Sequence, residues 1–173
     1  MNYFNNINKI DEIKKEFKRL AKELHPDKGG SEEDFKTMQN EYLKALKSQD
    51  GNFTDSEKKH KYKYNEINEK EIMEMIFKLL KLSLDQINIY IVGVWVWIDG
   101  ETKPIKEDLK KLGFKWNNNR LKWYWKPYEN KNGWSSKGSF SQIASMYGLK
   151  VVDTSKEDKK SISNTKMLNG VNC

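Results

Sequence analysis

The sequence predicts an α+β chain: an N-terminal helical hairpin, a linker helix, then a small antiparallel-sheet domain with one or two short helices. Three observations lead there. Between Ile10 and Leu46 apolar residues recur at three- and four-residue spacings. From Ile87 to Ile98 β-branched and aromatic residues alternate with Asn88 and Tyr90 before a continuous apolar run. All six tryptophans lie between Trp95 and Trp134, so composition changes sharply in the second half.

The first long helix is expected from Lys9 to Leu24. Ile10, Ile13, Phe17, Leu20, Ala21 and Leu24 share one face, opposite Lys14, Lys15, Lys18, Arg19 and Lys22. Pro26 forbids its continuation. A short leading helix is expected before it. The second helix covers Glu33 to Leu43, capped by Ser31, with Glu32, Glu33 and Asp34 favouring the dipole. Phe35, Met38, Tyr42 and Leu46 form its inward stripe. A linker helix is expected from about Ser56 to Leu82, with Ile67, Ile72, Met75, Ile76, Leu79 and Leu80 on its packing face.

Strands are expected from Ile87 to Ile98, with Gly93 marking a bulge or bend and Asp99-Gly100 a turn. A short helix from Lys103 to Leu112 has Thr102 as cap, Pro104 in its first turn and a Gly113-Phe114 stop. A hairpin joins Phe114–Trp116 to Leu121–Lys126 through Asn117-Asn118-Asn119. A last helix spans Ser141 to Met146, and 149–152 is expected as an edge strand. The divisions are 1–50, 51–85, 86–152 and a disordered tail at 153–173.

His25-Pro26-Asp27 sits at the tip of the hairpin. With Lys14–Leu24 before it, Lys28-Gly29-Gly30-Ser31 and Phe35–Leu43 after it, and Tyr3-Phe4 in front, residues 2–47 resemble the J domain. The resemblance implies a partner, a DnaK-type chaperone ATPase. Its acidic surface would receive Lys14, Lys15, Lys18, Arg19 and Lys22, and charge complementarity would supply orientation and on-rate. His25 and Asp27 would be the switch residues, held by Pro26. Catalysis would belong to the partner, so the chain is not expected to be an enzyme. Glu41 departs from the small residue usual there. No Gly/Phe-rich segment or CxxCxGxG repeat follows. The Lys28–Ser31 continuation resembles J domains of viral and phage proteins.

The second half offers a separate candidate surface. Arg120, Lys122, Trp123, Tyr124, Trp125 and Lys126 combine rings that stack bases with cations that track phosphates. Equally, tryptophans fill cores; Trp95 and Trp97 are the expected core members, and Trp123 and Trp125 surface candidates. On a hairpin Trp123 and Trp125 share one face, Lys122, Tyr124 and Lys126 the other. The pattern Trp95, Trp97, Leu112-Gly113-Phe114, Trp116, Trp123-Tyr124-Trp125 and Tyr147-Gly148 resembles an uncharacterised domain that accompanies J domains in bacterial and phage proteins.

Composition limits the remaining classes. The net charge of +7 favours polyanions or acidic protein surfaces. The single cysteine, Cys173, and the two separated histidines give no metal site, and no cofactor motif is present. The apolar run Ile91–Ile98 is too short for a bilayer, and Met1–Asn6 lacks a signal-peptide pattern, so no membrane partner and a cytoplasmic location are expected. Besides a nucleic-acid-binding protein with the J-like part as an accessory, two functions remain. One is a J-domain co-chaperone whose basic, Trp-rich module binds a target, with single-stranded nucleic acid a candidate. The alternative is a phage or mobile-element protein that binds and inhibits a host (defence) complex, without enzymatic activity.

Overall fold

The computed structural model describes residues 2–54, 60–82, 86–127, 139–147 and 149. Helix α1 (Ile10–Glu23) buries Ile10, Ile13, Phe17, Leu20 and Ala21. Helix α2 (Glu32–Lys47) is capped by the Ser31 hydroxyl, which accepts the Asp34 N–H at 3.3 Å, and buries Phe35, Met38, Tyr42 and Leu46. Stripe meets stripe: the Phe17 and Tyr42 rings stack at 4.1 Å. No leading helix forms. Residues 3–6 are turns held by the Tyr3 N–H donating to Glu41 at 2.5 Å, so the acidic departure on α2 anchors the N-terminal segment.

The helix expected from about Ser56 to Leu82 is shorter than expected. Helix α3 (Glu66–Leu80) starts where the Asn65 side chain accepts the Asn68 N–H at 3.0 Å. Upstream, residues 60–64 are not helical, and Phe53 and Lys61 pair as an isolated bridge. Tyr62, within residues 60–64, is buried in the core, and the helix begins at the Asn65 cap. Ile72, Met75, Ile76, Leu79 and Leu80 are buried on α3, while Ile67 is exposed.

Strands β1 (Ile87–Val92) and β2 (Trp95–Gly100) pair antiparallel in the register Val92↔Trp95. Gly93 lies in the bend between the two strands, one of the two expectations for it, and its positive φ matches a two-residue type II′ turn at Gly93-Val94; Asp99-Gly100, expected as a turn, instead ends β2. Helix α4 (Lys106–Lys111) follows, begun at Ile105 without a side-chain cap. Phe114 N–H donates to Leu109 O and Gly113 N–H to Lys110 O, both at 2.9 Å, which is the expected Schellman stop. Strands β3 (Lys115–Asn117) and β4 (Lys122–Trp125) form the expected hairpin, and the sheet order is β1-β2-β4-β3. Helix α5 (Phe140–Met146) begins with a Ser139/Gln142 capping box.

One sheet face, with Ile91, Val96, Ile98 and Trp123, joins the helices in a single buried cluster reaching back to Phe4. The other face carries Val92 and Trp97 under Phe140, Ile143 and Ala144 of α5. The chain is α+β. One buried cluster runs through the expected hairpin, linker and sheet segments. No helix among the described residues is long and apolar enough to cross a membrane. Trp134, residues 150–152 of the expected edge strand and the expected tail at 153–173 lie outside the described residues.

Candidate functional site

Pro26–Lys28 forms one 3₁₀ turn at the hairpin tip. The His25 ring is buried, only 5% exposed, between the Phe35 and Phe77 rings, with centroids 5.3 and 6.4 Å away. Its Nδ1 accepts the Asp27 N–H at 3.1 Å. The imidazole thus anchors the turn from beneath, while Pro26, Asp27 and Lys28 face solvent. The Asp27 side chain is 59% exposed and lies 3.6 Å from Lys81, at the end of α3. Such an exposed pair is worth at most about 1 kcal/mol and leaves the carboxylate available. Gly29 takes φ +87° at the turn's end, and a Cβ on Gly30 would run into the Leu24 carbonyl. The two glycines let the chain turn back tightly against α1.

The cationic flank is divided. Lys15, Arg19 and Lys22 are exposed. Arg19 is held by Glu16 at 2.7 Å and Glu23 at 2.5 Å. Lys14 and Lys18, expected to face a partner, face the chain's own sheet. Lys14 is buried, donating to Gly93 O at 2.8 Å and to Glu69 at 3.4 Å. Lys18 donates to Ile89 O at 2.6 Å. The reason is that β1 is an edge strand, and outward carbonyls need donors. Lysines one turn apart on α1 supply them.

Burial, with Lys15 nearby, lowers the Lys18 pKa from 10.5 to about 8. Above pH 8 the unfolded chain therefore holds a proton that the folded chain releases, so stability rises with pH from there toward 10.5. The urea midpoint is expected to rise between about pH 8 and 9.5, below tyrosine ionisation, and Lys18→Met is expected to flatten that rise. A wild-type midpoint parallel to the variant's across that range would contradict it.

The tryptophan hairpin also differs from expectation. Trp123 is buried, its indole N–H donating to Thr102 Oγ1 at 3.2 Å, and Trp125 packs against the same core. They share a face as expected, but that face is the inner one. Lys122 is paired with Asp99 and lies 4.9 Å from the Phe140 ring centre. Tyr124 packs with Trp95 and Trp97. Arg120 sits 5.6 Å over Trp97, and Lys126 5.1 Å over Trp95. These indole faces already carry cations of the same chain. Burial and Asp99 raise the Tyr90 pKa to about 12, keeping its hydroxyl protonated beside that carboxylate.

Sequence reading missed Glu69, Phe77 and Lys81. Phe77 backs His25 and lies 4.7 Å from Phe35. Glu69 accepts the Tyr62 hydroxyl at 2.7 Å and pairs with Lys14 inside the core. Burial, with Glu69 nearby, drives the Tyr42 and Tyr62 pKa values well above the ordinary tyrosine range. A carboxylate at position 69 among Ile72, Met73 and Ile76 was the available signal: an acid on an apolar face needs a buried cation. No family model, curated protein or solved structure matches the chain.

Proposed function

We propose that the chain is a non-enzymatic, J-domain-like co-chaperone that engages a DnaK-type ATPase through its hairpin tip. The supporting observation is the buried His25 holding the Asp27 backbone while the Asp27 carboxylate stays in solvent. A solvent-facing carboxylate on a fixed turn, with Lys15, Lys22 and Lys28 also exposed, suits recognition of a polar, partly acidic surface. The docking face is smaller than five cations, since Lys14 and Lys18 serve the sheet. The C-terminal module would hold the target.

That inward turn favours a second reading, in which the hairpin is scaffold and the chain acts by binding and inhibiting a host complex. One assay separates the two. In single-turnover ATP hydrolysis by a DnaK-type ATPase, wild-type chain is expected to raise the rate, and Asp27→Asn to remove most of the increase. Identical rates with wild type, Asp27→Asn and no added chain would overturn the co-chaperone reading.

A further inference from the structure

We propose that a groove at the β3 margin of the sheet binds single-stranded nucleic acid. The groove, of about 770 Å³, lies between the Gly100–Lys106 segment, α4 and β3. Its floor is Phe114, Trp116 and Trp123. Four lysines line it: Lys103, Lys106, Lys110 and Lys115, against one acid, Glu101. This is not the surface formed by Arg120, Lys122, Tyr124 and Lys126, whose cations are engaged with this chain's own rings and carboxylate.

Trp116 distinguishes the groove from an ordinary lysine-rich surface. It is 42% exposed, the most exposed tryptophan among the described residues. It lies opposite Trp123 in the ladder, with ring centres 5.5 Å apart and planes at 64°. Trp123 is held beneath by Thr102. The short edge strand carries Trp116 past the cover of the helices, so the indole meets water on a firm support. Exposing so large a ring sacrifices burial, and a binding surface is the usual reason.

The lysines are available. Lys103, Lys106 and Lys115 form no ion pair among the described residues, and Lys110 has only an exposed i,i+3 contact with Glu107 at 3.0 Å. Lys106 and Lys110 are one helical turn apart, about 6 Å along the axis, and project on the same side. A row of cations beside an aromatic platform suits a chain that alternates phosphates with flat rings. A duplex hides its base faces in the stack, and a run of acidic residues alone has no flat ring to offer the indole. The charge and the exposed ring together therefore select a single strand. Because residues 14–28 take no part in the groove, its binding can fail while ATPase stimulation survives, and the reverse.

The test is fluorescence anisotropy of a labelled oligothymidylate of about 12 nucleotides with the full chain, titrated between about 50 and 200 mM salt. Four phosphate contacts predict a slope of log K against log salt of about −3, and Lys106→Ala/Lys110→Ala is expected to lower its magnitude by about 1.4. Trp116→Ala is expected to weaken binding roughly 5- to 150-fold, while Trp116→Phe retains most of it. Lys44→Ala/Lys47→Ala, on the exposed end of α2, serves as the charge-matched reference and is expected to leave affinity within about two-fold. Equal losses from the α2 and groove pairs would overturn the proposal, showing attraction to net charge alone. So would equal affinity for a duplex or for polyglutamate, or an unchanged affinity in a Trp116→Ala chain with wild-type circular dichroism. Should Trp116→Ala fail to fold, the lysine pair and Trp116→Phe still decide.

Discussion

Truncating Glu69 to alanine is expected to destabilise the folded chain by about 3–5 kcal/mol, the cost of leaving a buried charge without its partner. The Lys14 and Glu69 side chains are 5% and 2% exposed. The Glu69 carboxylate accepts from both Lys14 and the Tyr62 hydroxyl, and Lys14 also donates to the Gly93 carbonyl. These contacts tie α1, α3 and the β1–β2 turn together. Without Glu69, the Lys14 ammonium keeps a single carbonyl, and Tyr62 loses its acceptor. Urea unfolding of the variant measures the loss. Lys14→Met/Glu69→Leu is expected to recover a large part, because apolar groups of similar size replace the pair with little penalty. A loss below about 1 kcal/mol in Glu69→Ala would mean that water reaches the pair, against its burial here.

Phe17→Ala is the other large effect, at about 3–5 kcal/mol for an aromatic ring removed from a closed core. Phe17 is fully buried, stacks on Tyr42 and lies 5.9 Å from Phe77. It therefore touches all three long helices. The experiment also reads how far cooperativity extends. The five tryptophans among the described residues lie on β2, β3 and β4, so tryptophan fluorescence reports the sheet while far-ultraviolet dichroism is dominated by the helices. A buried cluster running from Phe4 to Trp123 predicts that both signals shift by the same amount. A fluorescence transition left at its wild-type midpoint would show that the sheet unfolds independently of the hairpin.

Helix periodicity was legible wherever one face was apolar and the other charged. The stripes of α1 and α2 and the Gly113-Phe114 stop follow from local rules. Length before Asn65 was not legible, because a charged, lysine-rich stretch is compatible with a helix until a competing cap and extended pairing are available. The tip itself could be read from His25-Pro26-Asp27. Its support could not: Phe77 on α3 and Lys81 just past its end lie more than fifty residues from His25. Among the lysines of α1, helical spacing already places Lys14 beside the apolar stripe of Ile10, Phe17 and Ala21, but it does not show what Lys14 and Lys18 bond. Their carbonyl acceptors, Gly93 and Ile89, come from β1 and the turn after it.

The amino-acid order alone determined the α+β class, the hairpin with its proline-stopped turn, and the two-sided pattern of β4, since each depends on spacing within a few residues. Tertiary packing decided which side of that pattern is inside, which cations are engaged and which ring stays in solvent. Alternation separates two faces of a strand but does not name the buried one; what lies over each face does. Trp123 went inward because α1, α3 and α4 share its cluster, and Trp116 remained outside because β3 is the margin of the sheet.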